Sequence, residues 1–253
     1  MNAASLSHPG CRPARRESPP LRKFGLIGGT SWRSTMAYYS AINEAINRHY
    51  GDNTNPRINL ASLDQKGIHS AQLAGRWEEV LERIGSAAIE LQHTGVEGIA
   101  LCANTPHKIY DLLQSDLRVP VLHIGDAIAR ECERQGWTHV GLLGTRFTME
   151  DDFLRGRLKE RYGIRTRVPN VRVRRAIHRC LLEKLSMGIF DEVSRRLLLD
   201  QIDGFSRIGV QAVILGCTEF PLLLAGSDSP LPQVDSLACH CDQIVEFILG
   251  TAD

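Results

Sequence analysis

Residues 209–221, GVQAVILGCTEFP, and residues 95–106, GVEGIALCANTP, are two versions of one phrase. Each is a Gly-led apolar run that ends in a small-residue turn. In the later copy Cys217 stands at the turn, after Gly216 and before Thr218 and Glu219. A thiol at the carboxyl end of a buried strand, facing the N–H groups of a following helix, sits where thiols become thiolates and where open α/β sheets bind ligands. Cys217 reads as a thiolate base or nucleophile, or as the buried, inert cysteine that is the commoner fate of this residue type. Slid over one another without gaps, the copies put Gly95 on Gly209, Leu101 on Leu215, Cys102 on Gly216 and Ala103 on Cys217. Only one copy therefore has a thiol at the key position. Two thiols facing each other across a substrate carbon would invert that carbon, one removing a proton and the other supplying one to the opposite face.

The elements that must position these turns also recur. Residues 24–30, FGLIGGT, form a short buried strand ending in glycines, and Met36, Tyr39, Ile42 and Ile46 mark one face of a helix that ends near Gly51. A second strand follows over 58–64. A long helix then carries Leu73, Trp77, Ile84, Ala88 and Leu91 at three- and four-residue steps, with Gly95 as its stop. The strand 99–102, the ANTPHK turn and the apolar VPVLHI strand complete the first half. Residues 140–145, VGLLGT, restart the pattern, followed by a helix over 148–162, a strand near 165–168, and helices over 174–186 and 191–207. The separation of about 115 residues is far above solenoid periods. The order predicts two α/β domains from a duplication, each a small parallel sheet with flanking helices. Their boundaries are expected at 23–123 plus 232–253 for the first domain and 124–231 for the second. The last strand (231–234) and helix (236–249) are expected to pack back on the first domain. Facing sheets would form one cleft with a turn from each domain on opposite sides.

Composition removes several alternatives. The 253 residues are 43% hydrophobic and 23% charged, ordinary for a globular chain. A net charge of +1 gives no global field toward nucleic acid or an anionic membrane, so neither is an expected partner. No apolar run approaches the roughly 20 residues of a membrane-spanning helix. Seven scattered cysteines do not resemble a disulfide framework, which fits a reducing cytoplasm. Residues 1–22 lack the apolar centre of a secretory signal and read as a disordered tail.

The glycines of GLIGGTS could cradle an anion, but their spacing matches neither dinucleotide nor phosphate-loop signatures. A carboxylate held by those amides and by Ser31 or Thr30 competes with a purely structural strand-to-helix turn. Cys239-His240-Cys241 does not give a metal site, because residues two apart on a helix do not share a face and no second ligand pair stands at zinc spacing. The basic run Arg172, Arg174, Arg175 and Arg179 reads as a solvated helix face.

Over residues 23–249 the chain resembles the aspartate/glutamate racemase family, the cofactor-independent cysteine enzymes. The matching pieces are GLIGGTSW with STMAYY, LCANTPHK, LHIGDA, LLGTRFTMEDDFLRGRL, ILGCTE and PQVDS, in the family's order and spacing. The resemblance implies two pseudo-symmetric Rossmann-like domains with parallel sheets, an active site in the interdomain cleft, no pyridoxal phosphate or other cofactor, no metal, and a homodimer. The implied substrate is a small-molecule amino acid, or a dicarboxylate.

Carried over residue by residue, the second catalytic cysteine of the family is Cys217. The first normally stands directly before Asn-Thr, and here Asn104-Thr105 follow Ala103. Cys102 is one place early and is expected to point into the core, because neighbouring side chains on a strand face opposite ways. Ser31, Gln72, Asn104, Thr105 and Thr218 match positions that hold substrate carboxylate or amino groups, and Glu219 joins them. The family's carboxylate-binding lysine falls on Ala176; Arg175 beside it would point about 100° away on a helix but could reach an acidic substrate from a displaced angle. His107, in the TPHK segment, is expected to line the cleft or support it. The expected activity is amino-acid racemisation by cysteine acid/base chemistry, weakened or repurposed by Ala103. The alternatives are a one-base decarboxylase or isomerase of a dicarboxylate, and a non-catalytic carboxylate-binding protein of the same fold.

Overall fold

The computed structural model describes residues 21–251. The expected tail over 1–22 lies outside them except for Leu21 and Arg22. Those two are tied down: Leu21 packs against a core cluster, and the Arg22 N–H donates to Ile248 O at 3.0 Å.

The first half runs β1 (Phe24–Gly28), α1 (Trp32–Tyr50), β2 (Ile58–Ser62), α2 (Gln65–Leu73), α3 (Trp77–His93), β3 (Gly98–Leu101), a 3-10 turn (Thr105–Ile109), α4 (Tyr110–Ser115) and β4 (Val121–Leu122). The second runs α5 (Ile124–Gln135), β5 (His139–Gly144), α6 (Arg146–Glu150), α7 (Asp152–Tyr162), β6 (Arg165–Arg167), α8 (Val171–Glu183), a 3-10 turn (Leu185–Met187), α9 (Glu192–Ser206), β7 (Ala212–Gly216), α10 (Glu219–Leu224), β8 (Gln233–Asp235) and α11 (Ser236–Leu249). Two all-parallel sheets result, ordered β2-β1-β3-β4 and β6-β5-β7-β8. The second order repeats the first, as a duplication requires. Strands β1, β3, β5 and β7 are buried on both faces, which is why they read as continuous apolar runs rather than alternating ones.

Strand pairing fixes the equivalence of the two turns. Phe24 stands beside Gly98 and Leu26 beside Ala100 in one sheet; Val140 stands beside Ala212 and Leu142 beside Ile214 in the other. The register carries Cys102 onto Gly216 and Ala103 onto Cys217, the same alignment that the internal repeat gives.

Four expectations about elements change, the first being that the long helix read from Leu73 through Leu91 is broken at Gly75 (φ 73°) into α2 and α3. The last strand does not join the first sheet: β8 pairs with β7, with Val234 beside Ile214. Only α11 reaches the first unit, burying Ile244 and Ile248 against Phe24, Leu26, Tyr38 and Ile42. The helix expected over 148–162 is two helices, because Asp151 adopts an extended backbone (φ −82°, ψ 158°) that ends α6 and starts α7. The VPVLHI strand shortens to Val121–Leu122, because the His123 ring accepts the Gly125 N–H at 2.9 Å and starts α5.

The turns after β1 and β5 are built alike. Ser31 caps α1 by accepting the Ser34 N–H, and Thr145 caps α6 by accepting the Thr148 N–H. Gly29 needs its positive φ of 77°, and a Cβ there would lie 2.0 Å from Leu63 O. A glycine is structurally required at that turn whether or not it binds an anion.

Candidate functional site

The carboxyl ends of β1, β3, β5 and β7 converge on one cavity between the two units, about 110 Å³ in volume. Its wall includes Thr30, Ser31 and Ser34 after β1, Ala103 to Pro106 after β3, Thr145 and Phe147 after β5, and Gly216 at the end of β7 with Cys217 to Glu219 beyond it. Gln65, His69, Gln72 and Leu73 enter from α2, and His178, Leu181 and Leu182 from α8.

Cys217 is half-buried at the first position beyond β7. Its Sγ donates to Glu219 Oε2 at 2.9 Å, and Thr218 Oγ1 donates to the same oxygen at 3.0 Å. Thr218 Oγ1 also lies 2.7 Å from Ser34 Oγ across the domain boundary. Because the Thr218 proton is committed to the carboxylate, Ser34 is the donor in that bond. The chain of donors thus runs from Ser34 through Thr218 to Glu219, where it meets the thiol. Burial, the charge of Glu219 and the bond to it push the Cys217 thiol well above its usual range, and the backbone N–H groups of Glu219 and Thr218 pull the other way. The resting thiol is therefore protonated. Glu219 is itself 7% exposed, so the carboxylate is a partner of the thiol as well as part of the wall.

The facing turn has no ionisable group at the matching place, because Ala103 lines the cavity there. Cys102 is fully buried in the core behind β3, among Tyr38, Cys241 and Ile244, and burial drives its thiol up so strongly that it stays neutral. Asn104 and Thr105 do reach the cavity. Asn104 Nδ2 donates to Ser236 Oγ at 3.0 Å, while Asn104 Oδ1 and Thr30 Oγ1 are buried without a hydrogen-bond partner. Such acceptors are costly to leave empty, by about 1–3 kcal/mol each. Thr105 Oγ1 meets Thr145 Oγ1 at 3.1 Å, a second hydroxyl contact between the units.

His107 supports this turn from below. Its Nδ1 lies 2.9 Å from Ala103 O and 3.2 Å from Asn104 O, and its Nε2 accepts the Ile124 N–H at 3.2 Å. The roles are set by those partners: Nδ1 carries the proton. His107 does not line the cavity.

Two expectations about binding residues fail. Arg175 and Ala176 are exposed on α8 and lie outside the cavity lining. Helix α8 instead presents His178, Leu181 and Leu182, a face rotated from the expected one by two residues. Buried apolar Ile177 and Leu181 fix that rotation, a signal available in the sequence as the helix's own apolar spacing. His69, missed in the sequence, is held with Nε2 2.8 Å from Thr30 O. Among the described residues no cluster of three or more His, Cys, Asp or Glu could hold a metal, and His240 of the Cys-His-Cys run is buried against Tyr38 Oη (2.8 Å) and Leu122 O (3.0 Å).

The family model for Asp/Glu/Hydantoin racemases matches residues 27–244. The chain belongs to that family. Among solved structures, this racemase-family chain is similar to a protein assigned as an Asp/Glu racemase from Yersinia pestis, at 39% identity and a TM-score of 0.85, over 90% of this chain and 100% of that one. It is also similar to an aspartate racemase homologue from Pyrococcus horikoshii, at 33% identity and a TM-score of 0.77, over 90% and 99% of the two chains. Among characterised relatives it is 22% identical to the broad specificity amino-acid racemase RacX of Bacillus subtilis, over 89% of this chain and 98% of that protein. The two-domain racemase fold thus spans nearly all of the described residues. No helix among them is long and apolar enough to cross a membrane.

Proposed function

We propose that the chain is a cofactor-independent amino-acid racemase-type isomerase that moves the α-proton of an amino acid through Cys217, with Glu219 as the proton partner of the thiol. The observation that carries this reading is the 2.9 Å bond from Cys217 Sγ to Glu219 Oε2 inside the interdomain cavity. In the first step the thiol proton passes to Glu219 and the thiolate takes the α-proton, leaving a carbanion on the substrate. Return of a proton from Sγ to the same carbon, and of the Glu219 proton to sulfur, closes the cycle with no net change of charge. The unpartnered Asn104 Oδ1 is an acceptor suited to the substrate ammonium, and the hydroxyls of Thr105 and Ser31 suit the α-carboxylate.

Inversion needs a proton delivered to the opposite face, where Ala103 offers none. A water held in the cavity would have to supply it, less effectively than a thiol. The second reading, a one-base enzyme that exchanges or delivers a proton on a single face, is favoured by that alanine and by the burial of Cys102. Incubation with L- and D-amino acids in D2O, followed by NMR and chiral chromatography, decides between them. Exchange with inversion supports the racemase, and exchange with retention supports the one-base site. Absence of exchange with every amino acid would sink the proton-transfer reading altogether.

A cytoplasmic homodimer belongs to the same proposal. Contrary to the expectation from their spacing, Met36 and Tyr39 do not share the buried face of Ile42 and Ile46. With Trp32 they form an exposed apolar row on α1, which favours a protein partner for that face, and sedimentation analysis of the full chain reads the assembly.

A further inference from the structure

The geometry points to a substrate whose side chain is neutral and apolar, not a second carboxylate; this inference rests on the proposed α-carbon chemistry of the same cavity. Among the described residues no lysine or arginine lines the cavity, and the carboxylate that does, Glu219, would repel a second anion. The groups suited to the α-ammonium and α-carboxylate come from the strand-end turns. The helices supply a different surface: Leu181 and Leu182 from α8, Phe147 from α6 and Leu73 from α2. A side-chain carboxylate placed against that surface would be desolvated without a counter-charge.

Two cations of the neighbouring segments are paired with carboxylates, and two, neither of which lines the cavity, stack on aromatic rings. Arg174 pairs with Glu150 at 2.9 Å and Lys184 with Asp191 at 2.7 Å. The Arg33 guanidinium lies over the Trp32 ring at 4.5 Å, and that of Arg146 over the Phe147 ring at 5.1 Å. His178 does line the cavity, but burial and the charge of Arg146 lower its pKa, which keeps the ring neutral at pH 7.

The test compares leucine, methionine and alanine with aspartate and glutamate. Exchange of the α-proton in D2O is measured on the full chain, and melting shifts are measured in parallel on Cys217→Ser, which retains the cavity without the thiol. Neutral amino acids are expected to exchange at least ~100-fold faster than the acidic pair and to give the larger melting shift. Aspartate or glutamate leading in either assay overturns the inference while leaving the α-carbon chemistry in place. If no amino acid exchanges, the chemistry fails, and the melting shifts still decide the side-chain class: neutral ligands leading supports the inference, and acidic ligands leading, or none binding, overturns it. A gain-of-charge variant gives a second reading. Leu182 is 41% exposed, so Leu182→Lys disturbs little of the core. It is expected to raise the glutamate-to-leucine ratio about tenfold, as a new counter-charge does. An unchanged ratio counts against the inference.

Discussion

Cys217 Sγ and Glu219 Oε2 lie 2.9 Å apart, with the thiol as donor and the carboxylate as acceptor. The pair holds one transferable proton at the wall of the interdomain cavity. Burial, and after it the carboxylate, raise the thiol pKa, so the site rests as a neutral thiol and becomes a base only when Glu219 takes the proton.

Removing the thiol should remove the chemistry. Cys217→Ser is expected to slow α-proton exchange by about 10²–10⁴-fold, the range of a positioned general base. The measurement is the loss of the α-proton signal in D2O. Exchange at the wild-type rate would show that another group abstracts the proton.

Neutralising the partner should move two observables in opposite directions. Glu219→Gln deletes the charge that raises the thiol pKa, so the pH dependence of Cys217 alkylation should shift to lower pH. The α-proton exchange rate should nevertheless fall by about 10²-fold, because the proton acceptor is gone. An alkylation profile that stays in place would mean that Glu219 does not control the thiol.

Restoring the second face should favour inversion. Ala103 matches Cys217 in the strand register and lines the cavity, so Ala103→Cys places a thiol on the opposite turn. Racemisation is expected to rise by at least ~10-fold relative to α-proton exchange, read by chiral chromatography of the same samples. Cys102→Ala is the comparison; from its place in the core it should change stability and leave that ratio alone.

Buried histidines should make the fold acid-sensitive. Burial lowers the pKa of His107 to about 4 and of His240 to about 3, and it lowers that of His123 well below its usual value. The unfolded chain, with histidines near 6.5, binds more protons than the native state between about pH 6.5 and 3. Stability from these groups is therefore full above about pH 6.5 and is lost as pH falls through that window. The expected loss is on the order of several kcal/mol. Urea unfolding midpoints measured from pH 7 to 4 check it, and a flat profile would contradict neutral burial of the three rings.

The sequence by itself determined the two-unit α/β plan, the parallel sheets and the equivalence of the two turns. Those features follow from local period and from a repeated phrase, since a one-residue slip of a buried strand would turn every side chain to the wrong face. Cys217, Ala103 and the burial of Cys102 were legible on the same ground. The tertiary structure alone decided what those residues meet. The carboxylate of Glu219 turns back onto the thiol, and Ser34 reaches Thr218 from the other unit, because the two sheets face one another at their carboxyl ends. It also decided that β8 joins the second sheet, since a three-residue strand carries too little pattern to choose between two equivalent edges. The rotation of α8 came from packing as well. Burial of Ile177 and Leu181 turns His178 and Leu182 toward the cavity and leaves Arg175 in solvent. A motif alignment carries a position along the chain; the apolar face of the helix sets the direction in which its side chains point.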